Sequence, residues 1–99
     1  AISVVDAGAT GLIDLLKEIG EKIPLITVDS DCKPEDRAAR RAYVGTNNKE
    51  AGRVAGRIAK LLRPDGGNWI GFVGTEDADN ARSRIEGFVE GAGKGFTRL

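Results

Sequence analysis

The stretch Pro24-Leu25-Ile26-Thr27-Val28-Asp29-Ser30-Asp31 constrains this chain more than any other. Proline has no N–H to give a sheet ladder, so Pro24 marks the entry to a strand rather than its middle. Leu25, Ile26, Thr27 and Val28 form a short apolar and β-branched run. Such a run suits a strand covered on both faces, as strands in parallel sheets are. It stops abruptly at Asp29, Ser30 and Asp31. Open α/β sheets bind ligands just outside the carboxyl ends of their strands, where a carboxylate accepts hydrogen bonds from ligand hydroxyls. Asp and Ser are also ordinary turn residues, and a solvated turn is the competing reading of the same positions.

Upstream, Ile2-Ser3-Val4-Val5 reads as a strand and Asp6-Ala7-Gly8 as the turn after it. Leu12, Leu15, Leu16, Ile19 and Ile23 fall at helical spacing, one apolar stripe with Thr10 as the expected N-cap. This strand, the helix and the Pro24 strand make a βαβ unit, whose strands run parallel. Residues 32–42 mix both charge signs with little apolar content, an exposed loop with room for a helical turn. Arg37, Arg40 and Arg41 interleave with Glu35 and Asp36, which favours a solvated face over a phosphate site.

Tyr43 to Thr46 is a brief extended segment. Asn47 precedes the next helix with Glu50 three residues on, the spacing of a capping box. Ala51, Val54, Ala55, Ile58, Leu61 and Leu62 form its expected buried stripe. Gly52 and Gly56 sit one turn apart beside it. Each costs about 1 kcal/mol of helix propensity against alanine, so a close approach to a neighbouring element is expected there. Pro64-Asp65-Gly66-Gly67 ends the helix. Asn68 to Gly74 reads as a third strand and Thr75 to Asp79 as a polar loop. Ala81, Ile85, Phe88, Val89 and Ala92 stripe a third helix, and Phe96 to Leu99 begins another strand. Taken without other knowledge, this order implies one parallel α/β sheet.

Composition removes several function classes. Lysine plus arginine and aspartate plus glutamate both count 15, for zero net charge, without the basic excess of a nucleic-acid binder. No histidine is present and Cys32 is the single cysteine. Zinc sites, a disulfide within this chain and Ser-His-Asp triads are thereby excluded. No apolar run reaches the roughly 18 residues of a membrane-spanning helix. Ala7 to Gly11 keeps only the last spacing of a dinucleotide-binding G-x-G-x-x-G. A second polar cluster, Asn80-Ala81-Arg82, opens the third helix. Its amide and guanidinium can donate to ligand oxygens; a helix cap with surface arginines is the alternative.

Four segments then acquire a joint meaning: Ile2 to Asp6, Ile23 to Asp31, Tyr43 to Gly52, and Asn80 to Phe88. In their order and spacing they resemble the type I periplasmic sugar-binding proteins, the ribose-binding-like solute receptors of bacterial ABC importers. The sugar-sensing effector domains of LacI-type repressors share the fold and are the alternative, although the segments are more similar to the transport branch. The resemblance implies an α/β fold of Rossmann-like parallel sheets, two lobes closing on a sugar across a hinge, and a partial chain of about one third of the family length. Residues 1–46 would be the second part of the N-terminal lobe, ending at a hinge crossing, and residues 47–99 the first part of the C-terminal lobe.

By the same resemblance, Asp29 would accept hydrogen bonds from sugar hydroxyls and Arg82 would donate to sugar oxygens. Asn80 and Asp6 are further candidates. Ser30 stands where ribose receptors often carry arginine, which bears on sugar specificity. No catalytic role, metal or cofactor is implied. The implied partners are a small-molecule sugar and the permease of an ABC importer, with no nucleic acid, in a periplasmic or extracytoplasmic setting, although no signal segment is visible in the chain. Partial sheets leave unpaired edges, which invite self-association. The 99-residue chain is therefore expected to give a concentration-dependent mass by size-exclusion chromatography with light scattering; a constant monomer mass would contradict this.

Overall fold

Ile26–Val28 forms strand β1, and Ala42–Val44 forms β2 parallel to it, with Thr27 opposite Tyr43. On the other side of β1, Ile2 bridges Thr27 in parallel, its N–H bonding Ile26 O at 3.1 Å while its carbonyl accepts from Val28 N at 2.9 Å. The computed structural model describes residues 1–76 and 78–99. These fall into two compact units, residues 1–46 with Ala78 and Asp79, and residues 47–76 with 80–99.

In the first unit, helix α1 (Leu12–Lys22) follows the opening segment. Its apolar stripe buries Leu16, 1% exposed, into a core of Val4, Ala7, Leu25, Cys32 and Ala39, with Ile2, Leu12, Ile13 and Ile19 packed against them. The expected Thr10 cap is not used. Gly11 occupies that position at φ 78° with no side-chain cap, because the chain enters the helix through a left-handed turn that glycine adopts without Cβ strain. The expected strand at residues 2–5 is reduced to the Ile2 bridge and one bond from Val4 N to Ser30 O at 3.0 Å. Residues 34–39 form a 3-10 helix (Pro34–Ala39) with proline at its start and Ala39 buried. It passes so close to α1 that a Cβ on Gly20 would lie 2.6 Å from Ala39 O.

The second unit contains α2 (Asn48–Leu62), β3 (Gly67–Trp69), β4 (Phe96–Arg98) and, apart from Asp79, α3 (Asp79–Ala92). Asn47 caps α2 as its spacing requires, accepting the Glu50 N–H at 3.1 Å. β3 and β4 pair in parallel, Gly67 opposite Phe96. The strand expected over 68–74 is regular only to Trp69, where β4 supplies its partner. Asp77, in the loop expected at 75–79, lies outside the described residues, and Asp79 already belongs to α3.

α2 buries a different face from the one its large residues mark. Leu61 and Leu62 are 79% and 74% exposed, and Val54 and Ile58 are exposed with them. The buried positions are Asn48, Gly52 and Gly56. A Cβ on Gly52 would stand 2.1 Å from Arg84 O, and one on Gly56 2.3 Å from Phe88 O. From the other side, Cβ atoms on Gly87 and Gly91 would meet Lys49 O and Arg53 O at 2.0 and 2.2 Å. Four glycines thus let the two backbones touch. Phe88 lies 4.5 Å from the Trp69 ring and 6.5 Å, edge-on, from Phe96, which joins α3 to the sheet. Lys49 and Arg53 each reach Glu90 at 2.8 Å along the crossing.

Gly56→Ala should therefore destabilise the chain by about 1–3 kcal/mol through overpacking, even though alanine is the better helix former. Gly67→Ala, where a Cβ meets nothing within 4 Å, should stay within about 0.5 kcal/mol of the parent. Urea unfolding followed by circular dichroism measures both; equal effects would contradict the crossing.

Candidate functional site

The carboxyl end of β1 divides its three polar residues between water and the interior. Asp29 is exposed. Among the described residues it is the one non-glycine with positive φ, at 62°, in the left-handed region that Asn and Asp tolerate best. Its N–H donates to Val44 O at 3.0 Å, and its carbonyl accepts from the Tyr43 hydroxyl at 2.9 Å. The turn leaves the carboxylate facing solvent as an acceptor-only group. Ser30 turns inward; its Oγ is buried without a hydrogen-bond partner.

Asp31 is 4% exposed. Its Oδ1 accepts from Thr27 Oγ1 at 2.6 Å and from Arg40 Nε at 2.9 Å, and its Oδ2 from Arg40 Nη2 at 2.5 Å. Arg37 Nε stands 3.3 Å from Oδ2, close enough to pair in charge although not aligned for a hydrogen bond. Arg37 Nη2 also donates to Asp79 Oδ2 at 3.1 Å. The expectation of a solvated arginine face is therefore corrected for Arg40, 17% exposed, whereas Arg37 keeps 42% of its side chain in water while pairing with Asp31 and Asp79. Sequence spacing could not show it, because Arg40 is nine residues from its carboxylate. Burial by itself would push the Asp31 carboxyl up. The hydrogen bonds from Arg40 and Thr27, with one from the Cys32 backbone, outweigh it and hold the group below its usual range. Cys32 is fully buried, and burial, with the Asp31 charge beside it, pushes its thiol up. It is a core residue, not a reactive one.

The remaining candidates are placed separately. Asp6 is exposed, its Oδ1 accepting from Gly8 N at 3.0 Å in a local turn. Asn80 and Arg82 both lie in the first turn of α3. Asn80 lines a groove of about 700 Å³ within the second unit, together with Trp69, Phe72, Arg84, Ile85 and Phe88. Arg82 is exposed and is not part of that lining. The groove's guanidinium belongs to Arg84, which donates to Asn48 Oδ1 at 2.7 Å. Arg84 stands one helical turn from Asn80, which is the signal by which it could have been found. Among the described residues no cluster of acidic or cysteine side chains is arranged to hold a metal ion, and no helix is long and apolar enough to cross a membrane.

The family described as periplasmic binding protein domain matches residues 1–98. No curated protein sequence matches the chain significantly. Among solved structures, the chain is similar to GanP, a glucose-galactose binding protein from Geobacillus stearothermophilus, at 28% identity and TM-score 0.80, over 99% of this chain and 34% of that one. It is similar to a Mycobacterium smegmatis protein in complex with β-D-fucofuranose at 29% identity and TM-score 0.73, over 99% of this chain and 33% of that one. A chain of the XylFII-LytSN complex matches at 34% identity and TM-score 0.73, over 87% of this chain and 32% of that one. The chain thus spans about a third of the length of the structures it matches.

Asp31→Asn should lower stability by about 1.5–3 kcal/mol at neutral pH, since it removes the charge that the part-buried Arg40 guanidinium bonds. The folded carboxyl titrates below its unfolded value, so its contribution is complete above about pH 3.9 and is lost as pH falls through the folded value. The gap in urea midpoint between parent and variant should therefore be full at pH 7 and close only as pH falls from about 3.9 through the lower, folded value; a gap that stays constant throughout would contradict the assignment.

Proposed function

The chain belongs to the periplasmic binding protein family, and we propose from that premise that it acts as the ligand-binding part of a non-enzymatic sugar receptor serving an ABC importer outside the cytoplasm. The observation that carries the reading is the Asp29 carboxylate, held exposed at the carboxyl end of a parallel strand by a left-handed turn. A carboxylate presented this way accepts from two vicinal hydroxyls at once, which is the chemistry a monosaccharide offers. Structural neighbours support the class of ligand, since GanP is a glucose-galactose binding protein and the M. smegmatis protein holds β-D-fucofuranose.

In this reading Asp29 accepts from sugar hydroxyls. Arg82, exposed on the first turn of α3, donates to sugar oxygens, and Asn80 supplies an amide from the same turn. Residues 1–46 and 47–99 are then portions of an N-terminal and a C-terminal lobe, with Gly45–Asn48 as the hinge segment. Asp6 keeps a secondary place, because its carboxylate already serves its own turn. Ser30 is a further candidate beside it, its Oγ without a hydrogen-bond partner in the chain.

Calorimetric titration of the full-length receptor containing this chain with D-galactose, D-glucose, D-fucose and D-arabinose tests the reading. Binding of at least one is expected, with Asp29→Ala and Arg82→Ala each weakening it by about 1.5–3 kcal/mol, the cost of removing a charged hydrogen-bonding group. Glu18→Gln, on the exposed face of α1, should leave affinity unchanged. No response to any of the four sugars, or unchanged affinity in both variants, would overturn it.

A further inference from the structure

The Asp29 turn needs something to hold it, because an aspartate in the left-handed region is strained by its own Cβ. Its N–H bond to Val44 O continues the β1–β2 ladder and fixes only the entry to the turn. The exit is gripped by a side chain from the neighbouring strand. Tyr43 lies opposite Thr27 in the ladder, and its hydroxyl stands 2.9 Å from Asp29 O and 3.1 Å from Thr46 O. A phenol carries one proton, so the two carbonyls share a single donor. The ring reaches both by lying across Gly45: a Cβ there would stand 2.4 Å from the Tyr43 hydroxyl oxygen and 2.6 Å from Cζ. Gly45 is not among the positive-φ residues. Its lack of a side chain therefore serves the ring rather than its own backbone.

We propose that Tyr43 is the positioning residue of Asp29. Its hydroxyl holds the left-handed turn that presents the carboxylate, and Gly45 is the seat that lets the ring reach it. Tyr43 touches no sugar in this arrangement; it acts through Asp29 and, by the shared proton, ties the turn to the Thr46 carbonyl just ahead of the Asn47 cap. The functional consequence rests on the sugar-binding reading, whereas the conformational one does not. Three residues that the sequence leaves unrelated, Asp29, Tyr43 and Gly45, thus form one device. Two of them are replaceable without touching the carboxylate.

The test compares the parent chain with Tyr43→Phe, Gly45→Ala, Asp29→Gly and the Tyr43→Phe/Asp29→Gly double variant. Amide hydrogen exchange is read residue by residue. Tyr43→Phe and Gly45→Ala should each raise exchange at the Asp29 amide about tenfold, while amides in the middle of α1 keep their parent rates. The melting temperature should fall in Tyr43→Phe, but not in the same substitution made on Asp29→Gly, where no strained turn remains to be held. Unchanged exchange at Asp29, a uniform rise across the unit, or an equal drop in melting temperature in both backgrounds would overturn the proposal. Titration of the full-length receptor containing this chain with D-galactose adds the functional arm: Tyr43→Phe should bind about three- to tenfold more weakly, the range of one neutral hydrogen bond, and parent-like binding would overturn the positioning role. If no protein in the set, the parent included, responds to D-galactose, the sugar reading loses support; the exchange and melting results still decide what Tyr43 does.

Discussion

The first unit depends on a buried charge. Asp31 lies inside, yet it stays ionised because Arg40 meets it with two donors and Thr27 with a third. Burying a carboxylate costs several kcal/mol, and a bidentate guanidinium with added hydrogen bonds is the arrangement that offsets it. The consequences spread along the backbone. Thr27 is in β1, Arg40 follows the 3-10 helix, and Arg41 N then bonds Leu25 O at 2.8 Å to start β2. One carboxylate therefore joins strand, 3-10 helix and second strand. With Asp31 committed inward, the chain must turn sharply at Asp29, and that turn puts the other carboxylate in water.

The second unit is held by a different force. Among its described residues Ala92 is the one buried hydrophobic side chain, and nine large apolar residues, from Val54 to Leu99, stand exposed. Its cohesion comes from two helices whose backbones meet over glycines, from the Trp69–Phe88–Phe96 ring cluster, and from ion pairs to Glu90. Close backbone contact gains dispersion over many atom pairs, each worth only about 0.1–0.2 kcal/mol. It tolerates no added Cβ. The exposed ion pairs beside it add little by themselves.

The two ends of the chain's polar chemistry follow from these two packings. Asp29 is displayed because its neighbours in sequence are drawn inward. Asn80 and Arg84 share a groove because α3 is pressed onto α2, which turns that face of α3 toward Trp69. Arg82, two residues from each of them, points elsewhere for the same helical reason, since positions two apart lie on opposite sides of a helix.

Much of this was legible from residues alone. The first helix and the strand after Pro24, the helix over 48–62 with its Asn47 cap, the parallel strand class and the family resemblance all rest on local signals: period, caps, breakers and short ordered motifs. Those signals survive in any context, because they are set by backbone geometry. Tertiary structure decided the rest. It chose Asp29 over Ser30 and Asp31 for the solvent side, turned Arg37 and Arg40 from a charged loop into partners of a buried acid, and split one expected sheet into two pairs of strands. It also gave the buried face of α2 to glycines instead of leucines. Each of these depends on which backbone comes within a few ångströms of which side chain. Hydrophobic periodicity registers how apolar a face is, but not how closely another helix can approach it.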